Sequence, residues 1–210
     1  KESLAKVQAG LKTSGESLAS VQTNFNAAKS AADAAYSDWL AKAKAVAARR
    51  AAWGVADKFV VAYSGNLGRV HEFTAVLDAA RQLRDNKYIS FLFIGSGARW
   101  PEVRAVAERE LPNVRLLPPE PRENLAASLA AADAQLVTFN PTFDGLVYPS
   151  KLAGVLAAGR PVLFVGSPQG EIAQWIERNR CGAAFAPDGG DRLAEQIVRW
   201  SGQRDELAAI

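Results

Sequence analysis

The sequence predicts an α/β protein: a Rossmann-like, doubly wound parallel sheet preceded by a long helix or a helical hairpin. From Trp53 onward, short apolar runs alternate with stretches that have an apolar face at helical spacing, which is typical of a parallel sheet with helices on both faces. Residues 1–50 are instead rich in Ala, Ser and Lys, contain no Pro, and repeat apolar residues every seven positions. We therefore expect a helical, coiled-coil-like segment over residues 1–50 and a Rossmann-like domain over residues 51–210.

Composition and charge exclude several classes of protein. Residues 1–50 carry a net charge of +4 and the remaining residues −1, so the basic excess does not indicate nucleic-acid binding by the α/β part. The single Cys181 excludes an internal disulfide framework and agrees with a cytosolic protein. No apolar run approaches the ~18 residues of a transmembrane span, and no signal peptide is visible. Met is absent even at position 1, which favours a fragment, a processed chain or a fusion.

The heptad pattern predicts that residues 16–50 form one helix that pairs with another helix, in this chain or in a second copy. A hairpin that turns at Thr23-Asn24 is the alternative. Four large residues are expected on one buried face: Leu18, Val21, Phe25 and Trp39.

Six strands are predicted from apolar runs bounded by turn residues. They are Lys58–Ser64, Tyr88–Ile94, Asn113–Leu117, Gln135–Phe139, Pro161–Val165 and Ala183–Phe185. Helices are expected over His71–Arg84, from Pro101, over Arg122–Ala132, from Ser150, over Gly170–Asn179 and over Arg192–Trp200. Ligands of such sheets bind at the carboxyl ends of the strands. The candidate loops are therefore Ser64–Arg69, Gly95–Trp100, Pro118–Pro121, Asn140–Lys151 and Gly166–Glu171.

The loop after the first strand has the composition of a phosphate-binding turn. Gly65 and Gly68 would let the backbone approach a pyrophosphate, and Arg69 could bind its oxygens bidentately. A Gly-rich turn with a solvated Arg is the alternative. The loop is not the G-x-G-x-x-G fingerprint, and the sequence has no Walker motif, so neither a dinucleotide nor a P-loop site is indicated.

The stretch from Leu146 to Gly166 is the most informative. It reads Leu-Val-Tyr-Pro-Ser-Lys, then an apolar helical run, then Ala-Ala-Gly-Arg-Pro-Val followed by a buried strand. The predicted helix begins at Ser150-Lys151, where a phosphate would meet backbone N–H groups and a cation. Lys151 in the first turn opposes the helix dipole, a small cost that an anion would remove. A solvated Lys is the alternative.

This stretch resembles the donor-binding half of family 4 glycosyltransferases with the GT-B fold. The resemblance implies a site for the diphosphate and ribose of a nucleotide sugar, with the Ser64–Arg69 loop and the backbone at Leu146 and Val147 against the phosphates. His71 falls near the second basic position of the family, although an ordinary residue at a helix start is the simpler interpretation. The implied substrate-binding residues are Gly65, Asn66, Gly68, Arg69, Leu146, Val147, Ser150, Lys151 and Glu171.

The chain departs from the family pattern at two carboxylates. The pattern places acidic residues at the positions of Leu146 and Gly154, and Asp144 is nearby but off the spacing. Glu171 is a candidate substitute for the ribose contact, or it only stabilises the start of its own helix. Three residues occupy the place where the family surrounds the nucleobase, with a rigid turn as the alternative: Pro118, Pro119 and Glu120.

The resemblance implies the donor half of a retaining glycosyltransferase of glycan or polysaccharide synthesis that uses a UDP- or GDP-sugar and no cofactor or metal. The acceptor domain has no counterpart here, so we expect no transfer by this chain alone. The implied location is cytoplasmic, with attachment of the parent enzyme to the inner face of the membrane as an option. Two alternatives remain: an assembly module in which the heptad helix mediates oligomerisation, and an epimerase-like GT-B relative.

Overall fold

The computed structural model describes residues 5, 6, 9, 18–144, 150–203 and 207. These residues divide into two compact units between Ala45 and Val46. No helix in the described part of the chain is long and apolar enough to cross a membrane.

The first long element is helix α1, Leu18–Ala52, which runs without a break through Thr23-Asn24. The hairpin alternative is therefore wrong. Its last turn belongs to the second unit, where Arg50 pairs with Asp133 at 3.0 Å and donates to the Ala131 carbonyl at 2.8 Å. Asp133 also accepts from the Val60 N–H at 2.8 Å, so one carboxylate joins the end of α1 to two strands of the sheet.

The predicted apolar face of α1 is exposed. The exposed fractions are 39% for Val21, 64% for Phe25 and 61% for Trp39, and Tyr36 stacks on Trp39 with ring centroids 5.9 Å apart. The side chain of Leu18 lies outside the described set. The heptad thus predicted the helix correctly, but the expected burial is wrong within the single chain.

The second unit contains a six-stranded, all-parallel sheet of order β3-β2-β1-β4-β5-β6. The strands are β1 Phe59–Asn66, β2 Ile89–Ser96, β3 Val114–Leu117, β4 Ala134–Thr138, β5 Val162–Val165 and β6 Gly182–Phe185. The helices are α2 Thr74–Gln82, α3 Trp100–Glu110, α4 Leu125–Ala131, α5 Lys151–Ala157, α6 Glu171–Arg178 and α7 Gly190–Gly202. This confirms the predicted doubly wound α/β fold, with element boundaries within about three residues of the predicted ones.

Alternating side chains of the strands build a core on each face of the sheet. Phe59, Val61 and Tyr63 of β1 face a cluster that includes residues of α2, α3 and α7. Val60 and Ala62 face the opposite side, where they pack with Trp53, Val55 and the end of α4. The inner faces of α5 and α6 complete that second layer over β4 and β5.

The strand order reverses between β1 and β4, which pair with each other although two strands and three α-helices separate them in the sequence. Such a switch point leaves a crevice at the carboxyl ends of the two strands, because their connections leave toward opposite sides. The loops after β1 and β4 both begin there. The fold therefore brings the Gly65–Arg69 loop toward Ser150-Lys151 at the start of α5.

The Gly159-Arg160-Pro161 connection forms the expected tight turn between α5 and β5. Gly159 has φ +62°, a conformation that favours glycine. Arg160 donates to the Ala130 carbonyl at 2.6 Å, which ties the turn to the end of α4. Val162 and Val165 are fully buried behind it.

Candidate functional site

Three adjoining cavities line the carboxyl edge of the sheet. The first, about 280 Å³, lies between α4 and α5 and includes Gly65, Lys151 and Gly154 in its lining. The second, about 210 Å³, shares Gly65 with the first and adds Asn66 and Glu120. The third, about 400 Å³, continues past Gly95 toward α3. The cavities together form a continuous row from α5 to α3 that is open to an elongated ligand.

Lys151 occupies the junction between the two halves of the sheet. Its Nζ donates to the Asn66 carbonyl at 3.2 Å and to the Tyr63 hydroxyl, and it lies 3.7 Å from the centroid of the Tyr63 ring. Gly65 has φ +131°, and a Cβ there would come within 2.7 Å of Lys151 Cε, so a larger residue would be strained and would force the Lys151 side chain to shift. The structure thus brings Lys151 against the adjacent pair Gly65 and Asn66, the latter 85 positions away in the sequence.

The environment of Lys151 disfavours its charge. Burial lowers the pKa of Lys151 to about 7, and no carboxylate of the described residues is paired with it. Burial also raises the pKa of Tyr63, so its hydroxyl stays neutral and donates to the Asn66 carbonyl at 2.7 Å. An ammonium held by neutral oxygens alone is a site that an anion would stabilise.

The loop after β1 is fixed by hydrogen bonds to residues from other parts of the chain. His71 is buried and its Nδ1–H donates to the Thr138 carbonyl at 2.7 Å, while Arg99 donates to the His71 carbonyl. Burial lowers the pKa of His71, and the charges of Lys151 and Arg99 lower it further against the opposing effect of the Thr138 hydrogen bond. The lowered pKa favours the neutral ring of His71 at neutral pH, and His71 lies three residues before the start of α2.

The carboxyl ends of β1 and β2 approach each other so closely that side chains would clash there, and both strands have glycine at this point. The strands pair Gly65 with Gly95, and a Cβ on Gly95, which has φ +148°, would clash with the Gly65 carbonyl oxygen. Gly97, with φ +143°, abuts Asn66 and Leu67 in the same way. The two glycine loops are thus packed against each other, which fixes the backbone that lines the cavities.

The loop after β3 forms the wall of the second and third cavities. Pro119 and Glu120 line the second cavity, and Pro118 lines the third. Glu120 Oε1 accepts from Arg49 Nη1 at 3.1 Å, and the side chain of Glu120 is only 10% exposed. Its other oxygen, Oε2, is buried without a hydrogen-bond partner among the described residues.

The other predicted binding residues make few contacts or lie outside the described residues. Arg69 is exposed and makes no hydrogen bond or ion pair within the described chain, and Gly68 sits beside Asn66 and His71. Ser150 is exposed, lines the first cavity and makes no side-chain cap for α5. Leu146 and Val147 lie outside the described residues.

Among the described residues, neither nearby acid forms an ion pair with Lys151. Glu171 is exposed in the first turn of α6. Asp144 lies against the start of the same helix, since a Cβ on Gly170 would come within 2.5 Å of its Oδ2. Gly154 faces the first cavity, and a Cβ there would meet only Leu129, at 3.6 Å. Within the described residues, no group of His, Cys, Asp or Glu could hold a metal ion.

Sequence reasoning did not single out Tyr63, Arg99 or Arg49. Tyr63 reads as one more residue of a buried strand, although a buried Tyr hydroxyl usually has a polar partner. Arg49 lies 71 positions from Glu120, and no local pattern indicates their pairing.

The chain is similar in sequence to known glycosyltransferases. Residues 58–202 match the family model described as glycosyl transferases group 1. The chain is 33% identical over 141 residues to WbjE of Pseudomonas aeruginosa, named as a glycosyltransferase, covering 67% of this chain and 35% of that protein. It is 31% identical over 122 residues to WcaI of Escherichia coli strain K12, named as a colanic acid biosynthesis glycosyl transferase, covering 58% of this chain and 30% of that protein.

Solved structures share the fold. Anabaena HepE in complex with UDP-glucose has a TM-score of 0.65 and 19% identity over 79% of this chain and 45% of its own. WaaG, a glycosyltransferase involved in lipopolysaccharide biosynthesis, has a TM-score of 0.59 over 79% of this chain and 44% of its own. The chain spans about a third of the length of the curated relatives it matches. From Lys58 to Gly202 it belongs to the glycosyl transferases group 1 family.

Proposed function

We propose that residues 51–210 bind the diphosphate of a nucleotide sugar and are the donor-binding domain of a retaining glycosyltransferase of glycan or polysaccharide synthesis. The observation that carries the proposal is Lys151: a partly buried amine with a lowered pKa, lying between neutral oxygens where the loop after β1 meets α5. Stabilising a departing diphosphate is an electrostatic task, and a cation that gains its full charge beside the phosphates is suited to it.

The cavities support one orientation of the ligand. The diphosphate would lie at Gly65, Asn66 and Lys151, with Arg69 and Ser150 as further contacts at the rim. The nucleobase would then extend past Gly65 into the cavity of Pro119 and Glu120, because the two cavities share that residue. Leu146, Val147 and Glu171 keep their proposed roles from the sequence.

Isothermal titration calorimetry with a UDP-sugar and a GDP-sugar tests the proposal. Lys151→Met should weaken binding about ten- to hundredfold, since a charged hydrogen bond typically contributes roughly 1.5–3 kcal/mol. Lys87→Met is the matched control, because Lys87 is exposed just before β2, at the opposite edge of the sheet. Absence of binding at millimolar nucleotide, or equal effects of the two variants, would contradict the proposed role.

The same proposal includes two statements about the whole chain. Transfer of sugar by this chain alone should be undetectable, because no second Rossmann-like domain is among the described residues to close over the donor. The parent enzyme would act in the cytoplasm or at the inner face of the membrane. Measurable transfer to a lipid-linked or polysaccharide acceptor by this chain would refute the half-enzyme interpretation.

The exposed residues of α1 favour a second function beside the first. Phe25, Tyr36 and Trp39 leave large apolar area uncovered in the single chain, and the heptad spacing places Phe25 and Trp39 on one seam. We infer that residues 1–50 form a separate helical segment, of fusion or coiled-coil type, that can mediate self-association.

A further inference from the structure

Two arginine side chains connect the end of α1 to β3 and to the loop that follows β3. Arg49, in the last turn of α1, donates from Nη1 to Oε1 of Glu120 at 3.1 Å. Arg115 of β3 donates in the opposite direction, from Nη1 to the Trp53 carbonyl at 2.8 Å. Gly54 leaves room for this guanidinium, since a Cβ there would come within 3.0 Å of Arg115 Nη1. The two contacts cross-link the chain before β1 to the chain around β3.

The end of α1 is itself fixed in place. Arg50 pairs with Asp133 at 3.0 Å and donates to two backbone carbonyls. Trp53 is buried and belongs to the apolar cluster on one face of the sheet. Because the residues on both sides of it are anchored, Arg49 extends toward Glu120 from a well-held part of the backbone.

Glu120 depends on Arg49 for compensation of its charge. The side chain of Glu120 is only 10% exposed, and among the described residues its ion-pair partner is Arg49. Its second oxygen, Oε2, is buried and has no hydrogen bond within the same part of the chain. Removing one partner of a buried ion pair leaves an uncompensated charge, which is strongly unfavourable. Without Arg49 the carboxylate would turn toward water, and the loop that carries it would move.

The position of this loop determines the shape of two of the three cavities. Pro119 and Glu120 line the second cavity, and Pro118 lines the third. These loop residues do not line the first cavity, which includes Lys151. Movement of the loop would therefore change the space proposed for the nucleobase and leave the proposed diphosphate contacts in place.

We propose that Arg49 is a positioning residue of the donor site: through Glu120 it holds the loop after β3 where that loop forms a wall against the nucleobase. The inference rests on the proposed function, because it assumes a diphosphate at Lys151 and a base in the neighbouring cavity. The family match covers residues 58–202, so Arg49 lies outside it. The donor site thus depends on a residue of α1 that precedes the family-matched region.

Calorimetry on the full chain tests the role of Arg49. The ligands are the tighter-binding of UDP and GDP, and inorganic pyrophosphate, whose affinity is measured by displacement of that nucleotide. Arg49→Met should weaken nucleotide binding about ten- to hundredfold, the contribution of a well-placed base contact, and should leave the affinity for pyrophosphate unchanged. Lys151→Met should weaken both ligands. Arg84→Met is the matched control, because Arg84 is half-exposed, lies 3.7 Å from the Asp85 carboxylate and lines none of the three cavities.

Two milder substitutions at the same position complete the series. Arg49→Lys keeps the charge and should retain most of the nucleotide affinity. Arg49→Gln can still donate a hydrogen bond to Glu120 but has no charge, so it should show a smaller nucleotide loss, again with unchanged pyrophosphate affinity. Thermal melting establishes which variants are folded, and Arg49→Gln carries the test if Arg49→Met is not.

A double variant separates positioning from direct contact with the ligand. Arg49→Met combined with Glu120→Met removes both charges, so no carboxylate drives the loop toward water. Replacing a buried ion pair by apolar residues is often neutral for the fold. The double variant should therefore bind the nucleotide more tightly than the single variant at Arg49. Binding as weak as that of the single variant would show that the loop is not held through Glu120, and would overturn the inference.

The remaining outcomes distinguish the two levels of the argument. Unchanged nucleotide affinity in the Arg49 variants, or equal losses for nucleotide and pyrophosphate, would overturn the role of Arg49 while the nucleotide site stands. Failure of UDP and GDP alike to bind the unmodified chain at millimolar concentration, or of pyrophosphate to displace them, would overturn the proposed function itself, and the inference with it.

Discussion

Replacing Lys151 by Met should make the domain more stable below pH 7 and should remove a specific pH dependence. The pKa of Lys151 falls from its ordinary 10.5 to about 7 on folding, because the amine is buried beside Tyr63 and Asn66. Each unit of pKa corresponds to about 1.4 kcal/mol, so the charged amine costs the fold no more than about 5 kcal/mol. Met has a similar length and no charge, so it avoids that cost.

The sign follows from proton binding. The folded pKa lies below the unfolded one, so between about pH 7 and 10.5 the unfolded chain holds more protons than the folded chain. Stability contributed at this site therefore rises with pH across that window and is lowest below pH 7. Tyr63 stays neutral in the window because burial raises its pKa, and His71 is neutral because its pKa is lowered.

Urea unfolding at pH 6, 8 and 10 measures this difference. Lys151→Met should exceed the unmodified chain in free energy of unfolding at pH 6, and the excess should shrink toward pH 10. Binding should show the opposite preference. A nucleotide sugar, whose diphosphate diester does not titrate near neutrality, should bind the unmodified chain more weakly at pH 9 than at pH 6 and should show no such change with Lys151→Met. Parallel unfolding and binding profiles for the two proteins would refute the reasoning.

Three further predictions concern the core, the long helix and α5. Val162→Asp would place an unpaired charge in a fully buried position of β5 and should destabilise the domain by about 3–5 kcal/mol in urea unfolding, with Lys87→Met unchanged as the surface reference. Phe25→Asp and Trp39→Asp should convert any dimer to monomer in light scattering without changing the unfolding of the α/β domain; unchanged mass at all concentrations would dismiss self-association through this seam. Gly154→Ala should stabilise the domain by up to about 1 kcal/mol, because its Cβ has room and Ala favours helix; a lower melting temperature would contradict the open space at this position.

Local patterns in the sequence were sufficient for most of the fold because each strand is a continuous buried run and each helix has one apolar face. They failed where the structure of a segment depends on backbone that is distant in the sequence. β1 and β2 extend to Asn66 and Ser96 because Gly65 and Gly95 lie side by side, and each glycine alone reads only as a turn residue. The heptad identified α1, but a periodic apolar face does not specify what covers it.

The residues of the candidate site likewise divide into those that the sequence predicted and those that depend on contacts between distant parts of the chain. Gly65 and Lys151 were predicted because loops after parallel strands converge at one edge of a sheet, and Asn66 was predicted from the family resemblance. Tyr63 was missed because its role depends on the position of one amine 88 residues away. The unpaired oxygen of Glu120 was likewise invisible, since it results from the partner that the other oxygen has in Arg49.

The lowered pKa of Lys151 is related to the glycine at position 154, where the family pattern has an acidic residue. Lys151 and Gly154 are three residues apart on α5, so their side chains share a face of the helix, and both line the first cavity. A carboxylate at position 154 would favour the charged amine and raise its pKa, as any nearby opposite charge does. With Gly154 in its place, burial is the cause of the shift, and an anion bound beside the amine would increase its charged fraction near pH 7. Gly154→Glu should therefore move the pH window of the Lys151 effect toward 10.5, whereas Gly154→Gln, of the same size and uncharged, should leave it near 7; identical profiles for the two variants would show that the shift does not depend on charge at this position.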